Sequence, residues 1–348
     1  MKSLSQLFHK YQADVWLAIG LVLFTSFTSW AAAQLVNPIV FKVLDIWFDS
    51  DISRRFLGMS DSTYSHATFS IHPLYPLFIF LPILKILTIF HLEPITGIRA
   101  FISVVSGLLI GTIFILFRLL GYKKIDAAIF SILASITAAA RFWFVVPELF
   151  LFGGETILLV YCLVTVADYR KLSPYWYMAA NVLTVGITIT NLMAGIIATI
   201  SGNRWKQCLK IFVGAFVLFI LLATIQKFFF PTAALRAIFL RGTADQTNYL
   251  YWPSNIYMLL ERYRVFFFHS IVMPSIEIIN SNWPGSSGGE VLSIHASALG
   301  SGSWWGKVAT VTWGGLLALG FYALFSVKQH FRSIFGWHGM VAYCQHAK

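Results

Sequence analysis

Long apolar runs at residues 15–36, 99–121, 125–146, 148–167, 210–230 and 307–327 constrain this chain more than anything else in it. Each approaches or exceeds the roughly 20 residues that a helix needs to cross a hydrocarbon core of about 30 Å. Inside hydrocarbon every backbone N–H and C=O must find a partner within the chain, and helices satisfy that demand locally. Hydrophobic residues make up 58% of the sequence and charged residues only 11%. Soluble domains carry about 25% charged residues, so no water-soluble globule could hide this much apolar surface. The expected fold class is all-α, a polytopic transmembrane helical bundle of about 7–9 membrane helices with external loops.

Charge orients the bundle. The formal net charge is +11, and the basic residues gather in short loops between the apolar runs, as the positive-inside bias requires. The N-terminus, Arg118/Lys123/Lys124, Arg170/Lys171, Arg204/Lys206/Lys210 and Lys328/Arg332 are the cytoplasmic candidates. Nothing resembles a basic, aromatic-studded nucleic-acid surface, so no nucleic-acid partner is expected and the membrane lipid bilayer is. If all these loops share one side, residues 73–90 do not cross, and residues 173–202 form a hairpin of two short helices with its turn near Thr188–Gly195. The alternative is that 73–90 spans and one basic loop breaks the bias.

This arithmetic divides the chain into a transmembrane module at 1–230, with an acidic external loop at 37–72, and an external loop region at 231–306. Residues 307–348 supply a final membrane helix and a short cytoplasmic tail. The first helix reads as an uncleaved span, since no small-residue cleavage site follows it. The cysteines Cys162, Cys208 and Cys344 form no CxxC pair, so neither a disulfide framework nor a zinc site is implied. The absence of an N-x-S/T sequon favours a bacterial source, and the expected location is a multi-pass position in the inner cell membrane.

The acids are few and clustered. Asp45, Asp49 and Asp51 fall within the segment Asp45–Arg55, just beyond the first apolar run. Were the stretch helical, Asp45 and Asp49 would share a face and Asp51 would point away. Carboxylates so placed can act as a general base toward an acceptor hydroxyl, or hold a divalent cation beside a phosphate. The bland reading is a solvated acidic loop. His72 precedes Pro73 and is therefore held extended, at the start of an apolar segment. It can donate to a phosphate, or be an interfacial histidine with no further role. Glu148 follows Pro147, and Glu155 lies deeper in the same run. Arg141 stands near the same end, either as the structural partner of one of these acids or as a clamp for a lipid-linked phosphate. Thr188, Thr190 and Asn191 occupy the hairpin turn, where they satisfy freed backbone groups or touch substrate. No Walker loop, GxGxxG, HExxH or GxSxG occurs, so an activated donor would be lipid-borne rather than a bound nucleotide.

Taken in order, these motifs resemble the polytopic glycosyltransferases of the C superfold, which use polyprenyl-phosphate sugars and include protein O-mannosyltransferases and bacterial aminoarabinose transferases. In that group a first helix leads to an outer loop with catalytic acids, here resembled by Asp45–Arg55. A His/Pro-Pro-Leu-Tyr-like segment follows, resembled by His72–Pro76. An Arg-led helix and basic loop come next, resembled by Arg99 through Lys124, and then a helix beside an active-site acid, resembled by Arg141 through Glu155. The resemblance covers roughly residues 1–230. It implies transfer of a sugar from a polyprenyl-phosphate carrier to an acceptor on the outer face. Asp51 or Asp49 would be the catalytic base, and His72, Arg141 or Arg54 would lie near the phosphate. Glu148 would order the site or hold a metal, and Asn191 is a further substrate-contact candidate. A divalent metal ion is left open as a cofactor. Two other classes stay in view, a transporter or flippase for lipid-linked sugars and an inactive assembly subunit.

Overall fold

The computed structural model describes residues 4–43, 47, 50–61, 63, 74–170, 172–231, 255–272, 276–280, 290–294 and 304–326. Among the described residues the architecture is helical, with one small two-stranded sheet. The chain divides into two compact units. The first comprises Met1–Ile136, Ala140–Trp252 and Ile278–Ser293, and the second Thr137–Ala139, Pro253–Glu277 and Ile294–Lys348.

The first unit is built around α1 (Leu4–Gln34) and α4 (Pro94–Leu119), which run antiparallel. Arg118 near the end of α4 pairs with Asp14 near the start of α1 at 2.9 Å. At the opposite end Arg99 donates to the carbonyl of Val36 at 2.6 Å, and its guanidinium lies over the ring of Phe41. Between these ties the two helices touch closely at Gly107. A Cβ there would stand 2.4 Å from the Val22 carbonyl oxygen and 2.2 Å from Ser26 Oγ. Helix α4 starts where Pro94 presets the first turn and Glu93 accepts the Ile95 and Thr96 amides. It stops before Gly121, whose φ of +89° lies in the left-handed region.

Between α1 and α4 come a 3-10 turn (Pro38–Phe41), α2 (Ile52–Ser60), a π-helical turn (Pro76–Phe80) and α3 (Leu81–Ile89). The Leu74 amide donates to Gly186 O, and Leu87 packs against Gly97 in the first turn of α4. Segment 74–89 therefore begins and ends at one end of the unit and does not traverse it.

After α4 the chain returns through α5 (Lys124–Ser135) and α6 (Ala138–Trp143). The run 125–146 does not form the single uninterrupted helix expected of it. The break falls at Ile136–Thr137, where the Ala138 and Ala139 amides donate to the carbonyls of Ile271 and Ser270 instead of to their own preceding turn. Helix α7 (Leu149–Tyr169) runs parallel to α4, since Ser106 meets Phe144 and Thr112 donates to Glu155 further along both chains.

Residues 173–202 form the hairpin that the placement of the basic loops implied. Helices α8 (Pro174–Ile187) and α9 (Leu192–Gly202) meet at a 3-10 turn, Ile189–Asn191. Asn181 Nδ2 donates to Thr199 Oγ1 at 2.8 Å across the pair. Gly195 admits this contact, since a Cβ would reach Asn181 Oδ1 at 2.9 Å. Helix α10 (Trp205–Phe229) packs along α8, with Gly214 against Met178.

Region 231–306, expected to be an external loop, carries regular elements among its described residues. It contains α11 (Ile256–His269), β1 (Ile276–Asn280) and β2 (Glu290–Ile294). Asn255 caps α11 by accepting the Met258 amide. The second unit carries α11 and α12 (Trp304–Ser326), and Trp313 of α12 donates to the carbonyl of Phe267.

Four helices among the described residues are long and apolar enough to cross a membrane: Gln12–Gln34, Pro94–Leu119, Leu149–Ala167 and Trp205–Phe229. At 1.5 Å per residue the last spans about 38 Å, whereas α8 and α9 reach only about 21 and 17 Å. The outward faces of the long helices are apolar, as Phe24, Phe27, Phe216, Val217 and Leu221 illustrate.

Candidate functional site

The helix ties above give the first unit two chemically distinct ends. One collects Arg118, Lys123, Lys124, Arg170, Arg204 and Lys206, at the end of α4, the start of α5, the end of α7 and the start of α10. The other collects the ends of α1 and α8, α2, the Tyr75 segment and the start of α7. The candidate site lies at this second end.

Asp51 sits immediately before α2 and makes no side-chain cap bond. Trp47 bridges to Leu292 of β2. Asp51 faces two cations instead of the α2 amides. Arg54 Nη1 donates to Oδ1 at 3.0 Å, and Arg55 Nη2 stands 3.6 Å from Oδ2. The Asp51 and Arg54 side chains are 40% and 41% exposed, so this edge faces outward. Arg55 is buried. It lies 3.8 Å from Glu148 Oε1 through Nε, and 5.4 Å over the ring of Tyr75.

Glu148 caps α7 by accepting the Leu149 amide at 2.8 Å. It also receives the Asp51 backbone amide, so the acid at one helix start fixes the backbone of the other. Burial raises its carboxyl above the ordinary range, while Arg55 and these amides oppose the shift. Its Oε2 has no hydrogen-bond partner among the described residues. Burial likewise pushes up the Tyr75 hydroxyl, with Arg55 opposing and Glu148 adding. That hydroxyl is also unsatisfied among the described residues, and the Tyr75 ring is wedged edge-on between Phe80 and Phe152.

Next to this cluster an apolar cavity of about 660 Å³ is lined by Leu35, Val36, Val40, Trp47, Val145 and Arg141 among others. Arg141 is exposed and is the one charged residue in the described lining. It makes no ion pair among the described residues, since Glu148 faces Arg55 and Glu155 bonds Thr112.

Of the residues singled out from sequence, the structure brings Asp51, Arg54 and Glu148 together. Arg55 joins them, and sequence reasoning missed it. Its one signal was the second arginine directly after Arg54, which says nothing about direction. Asn191 lies at the hairpin turn and donates to Gly153 O at 2.9 Å and Thr156 Oγ1 at 3.1 Å, pinning that turn to α7. Thr188 and Thr190 bond each other. Asp45, Asp49 and His72 lie outside the described residues. Among the described residues no group of three His, Cys, Asp or Glu side chains could hold a metal ion. The chain matches no protein-family model, no curated protein and no solved structure.

Proposed function

We propose that this chain is a membrane glycosyltransferase that moves a sugar from a polyprenyl-phosphate carrier to an acceptor on the outer face of a bacterial inner membrane. The observation that supports this reading is the half-exposed Asp51 carboxylate, anchored by Arg54 and by the buried Arg55–Glu148 pair, beside an apolar cavity whose charged lining is Arg141. An apolar trough with one cation suits an isoprenoid chain that ends in a phosphate. In the reaction Asp51 takes the proton of the acceptor hydroxyl, whose oxygen attacks the anomeric carbon. The bond from that carbon to the phosphate oxygen breaks, and Arg141 meets the charge on the departing polyprenyl phosphate.

In this reading the long helices, together with the broken α5–α6 traverse, the α8–α9 hairpin and α12, bring the number of membrane passes to about 7–9. The basic end faces the cytoplasm. A transporter for lipid-linked sugars would place charge along both leaflets, whereas the described carboxylates of this cluster lie at one end.

The test is a membrane assay with radiolabelled polyprenyl-phosphate sugars, comparing wild type with Asp51→Asn and Asp49→Asn. Label transfer by wild type that falls with either substitution supports the assignment. No transfer from any such donor by a correctly inserted wild type would overturn it.

A further inference from the structure

The basic end of the first unit holds far more charge than its folding uses. Arg118 pairs with Asp14. Lys123, Lys124, Arg170, Arg204, Lys206 and Lys210 are exposed and form no ion pair among the described residues. Asp126, in the first turn of α5, is an exposed acid among them.

The tertiary structure brings these side chains to one level. Tyr177 beside Gly202 ties the start of α8 to the end of α9, and Cys208 donates to the Thr199 carbonyl, tying in α10. The Arg118–Asp14 pair sets α1 and α4 at the same level. Lys206 and Lys210, four residues apart on the first turns of α10, project from one face of that helix. Trp176 and Trp205 stand beside them, 60% and 73% exposed. Exposed tryptophan next to unpaired lysine and arginine matches a headgroup layer, where the indole sits among glycerol groups and the cation meets phosphate.

We infer that this end is a binding surface for anionic phospholipid headgroups, centred on Arg204, Lys206 and Lys210 at the start of α10. The inference rests on membrane insertion and is independent of the transferase reading. Charge complementarity selects the occupant. A zwitterionic headgroup offers no net charge to six cations that form no ion pair among the described residues, and an anionic one does.

The experiment places the purified full chain in nanodiscs of equal phosphatidylcholine and phosphatidylglycerol, then measures the lipids it retains by native mass spectrometry. Wild type is expected to retain phosphatidylglycerol several-fold over phosphatidylcholine. The Arg204→Gln/Lys206→Gln/Lys210→Gln variant should lose most of that preference. Lys85→Gln, on α3 at the other end, should keep it. Should the triple variant fail to fold, Lys123→Gln/Lys124→Gln provides a second, smaller loss on another helix start. Millimolar glycerol phosphate should not displace the retained lipid, which separates a bilayer headgroup from a free phosphate ester. Retention in the ratio of the disc, or full preference in both basic-end variants, overturns the inference.

Discussion

Arg55 of α2 and Glu148 at the start of α7 form a buried ion pair, Nε to Oε1 at 3.8 Å, that fastens the segment carrying Asp51 to the helical bundle. Removing one partner of such a pair leaves a charge in a poor solvent. Arg55→Met is expected to destabilise the protein by about 3 kcal/mol at neutral pH. The loss should depend on pH in a defined direction. Burial holds the folded-state pKa of Glu148 above the ordinary 4.5. Between those two values the folded state binds the proton and the unfolded state has released it, so stability falls as pH rises through that window. Arg55 limits the shift, and its removal carries the window upward. Thermal melts of wild type and Arg55→Met from acid to mildly alkaline pH should therefore diverge as pH rises. A gap that is constant or narrows would show that Glu148 does not depend on Arg55.

Asp51 and Asp61 flank α2, and Asp51 faces Arg54 and Arg55. Asp61 accepts from Thr63 at its own turn. If Asp51 is the general base, Asp51→Asn should lower turnover by about 10²–10⁴ while the fold persists. Asp61→Asn should leave turnover near wild type. Comparable losses for both would point to the segment's conformation rather than to proton transfer.

Arg141 is exposed and has no ion pair among the described residues, so folding asks little of it. Arg141→Gln should change stability by no more than about 0.5 kcal/mol. Affinity for a polyprenyl-phosphate donor should drop, and restoring the charge with Arg141→Lys should recover part of it. A large fall in melting temperature would assign Arg141 a structural role instead.

Gly107 sets how closely α1 and α4 approach. A methyl group there meets the Val22 carbonyl, which is backbone and cannot swing away. Gly107→Ala is expected to cost about 1–3 kcal/mol. Gly315, in whose place a Cβ would meet nothing within 4 Å, should tolerate the same change. Detergent-solubilised melting temperatures compare the two directly.

Topology follows from the two ends of the first unit. A single cysteine at Ser60 should react with an impermeant maleimide in intact cells, and one at Lys206 only after the membrane is opened. Ser286, expected on the same side as Ser60, lies outside the described residues and is probed in the same way. Labelling of Ser60 and Lys206 from one side would place both ends of the bundle on that side, against the positive-inside arrangement.

The sequence by itself determined the helical class and much of its punctuation. Apolar runs had to become helices because hydrocarbon offers backbone groups no other partner. Glu93-Pro94 and Ser173-Pro174 mark helix starts by local chemistry, and the polar interruption at Thr188–Asn191 marks the hairpin turn. These features depend on residues a few positions apart, so spacing reveals them. Only the tertiary structure decided which charges meet. Sequence placed Arg141 near Glu148, but Glu148 faces Arg55 of α2, and Arg141 lines the neighbouring cavity. It also decided that run 125–146 breaks at Ile136–Thr137, because the amides that follow find the carbonyls of Ser270 and Ile271. A helix tells its residues which face they share, but the rotation of that face toward a neighbour depends on packing against distant helices. Close contacts such as Gly107 against Val22 set that rotation, and no local pattern encodes it.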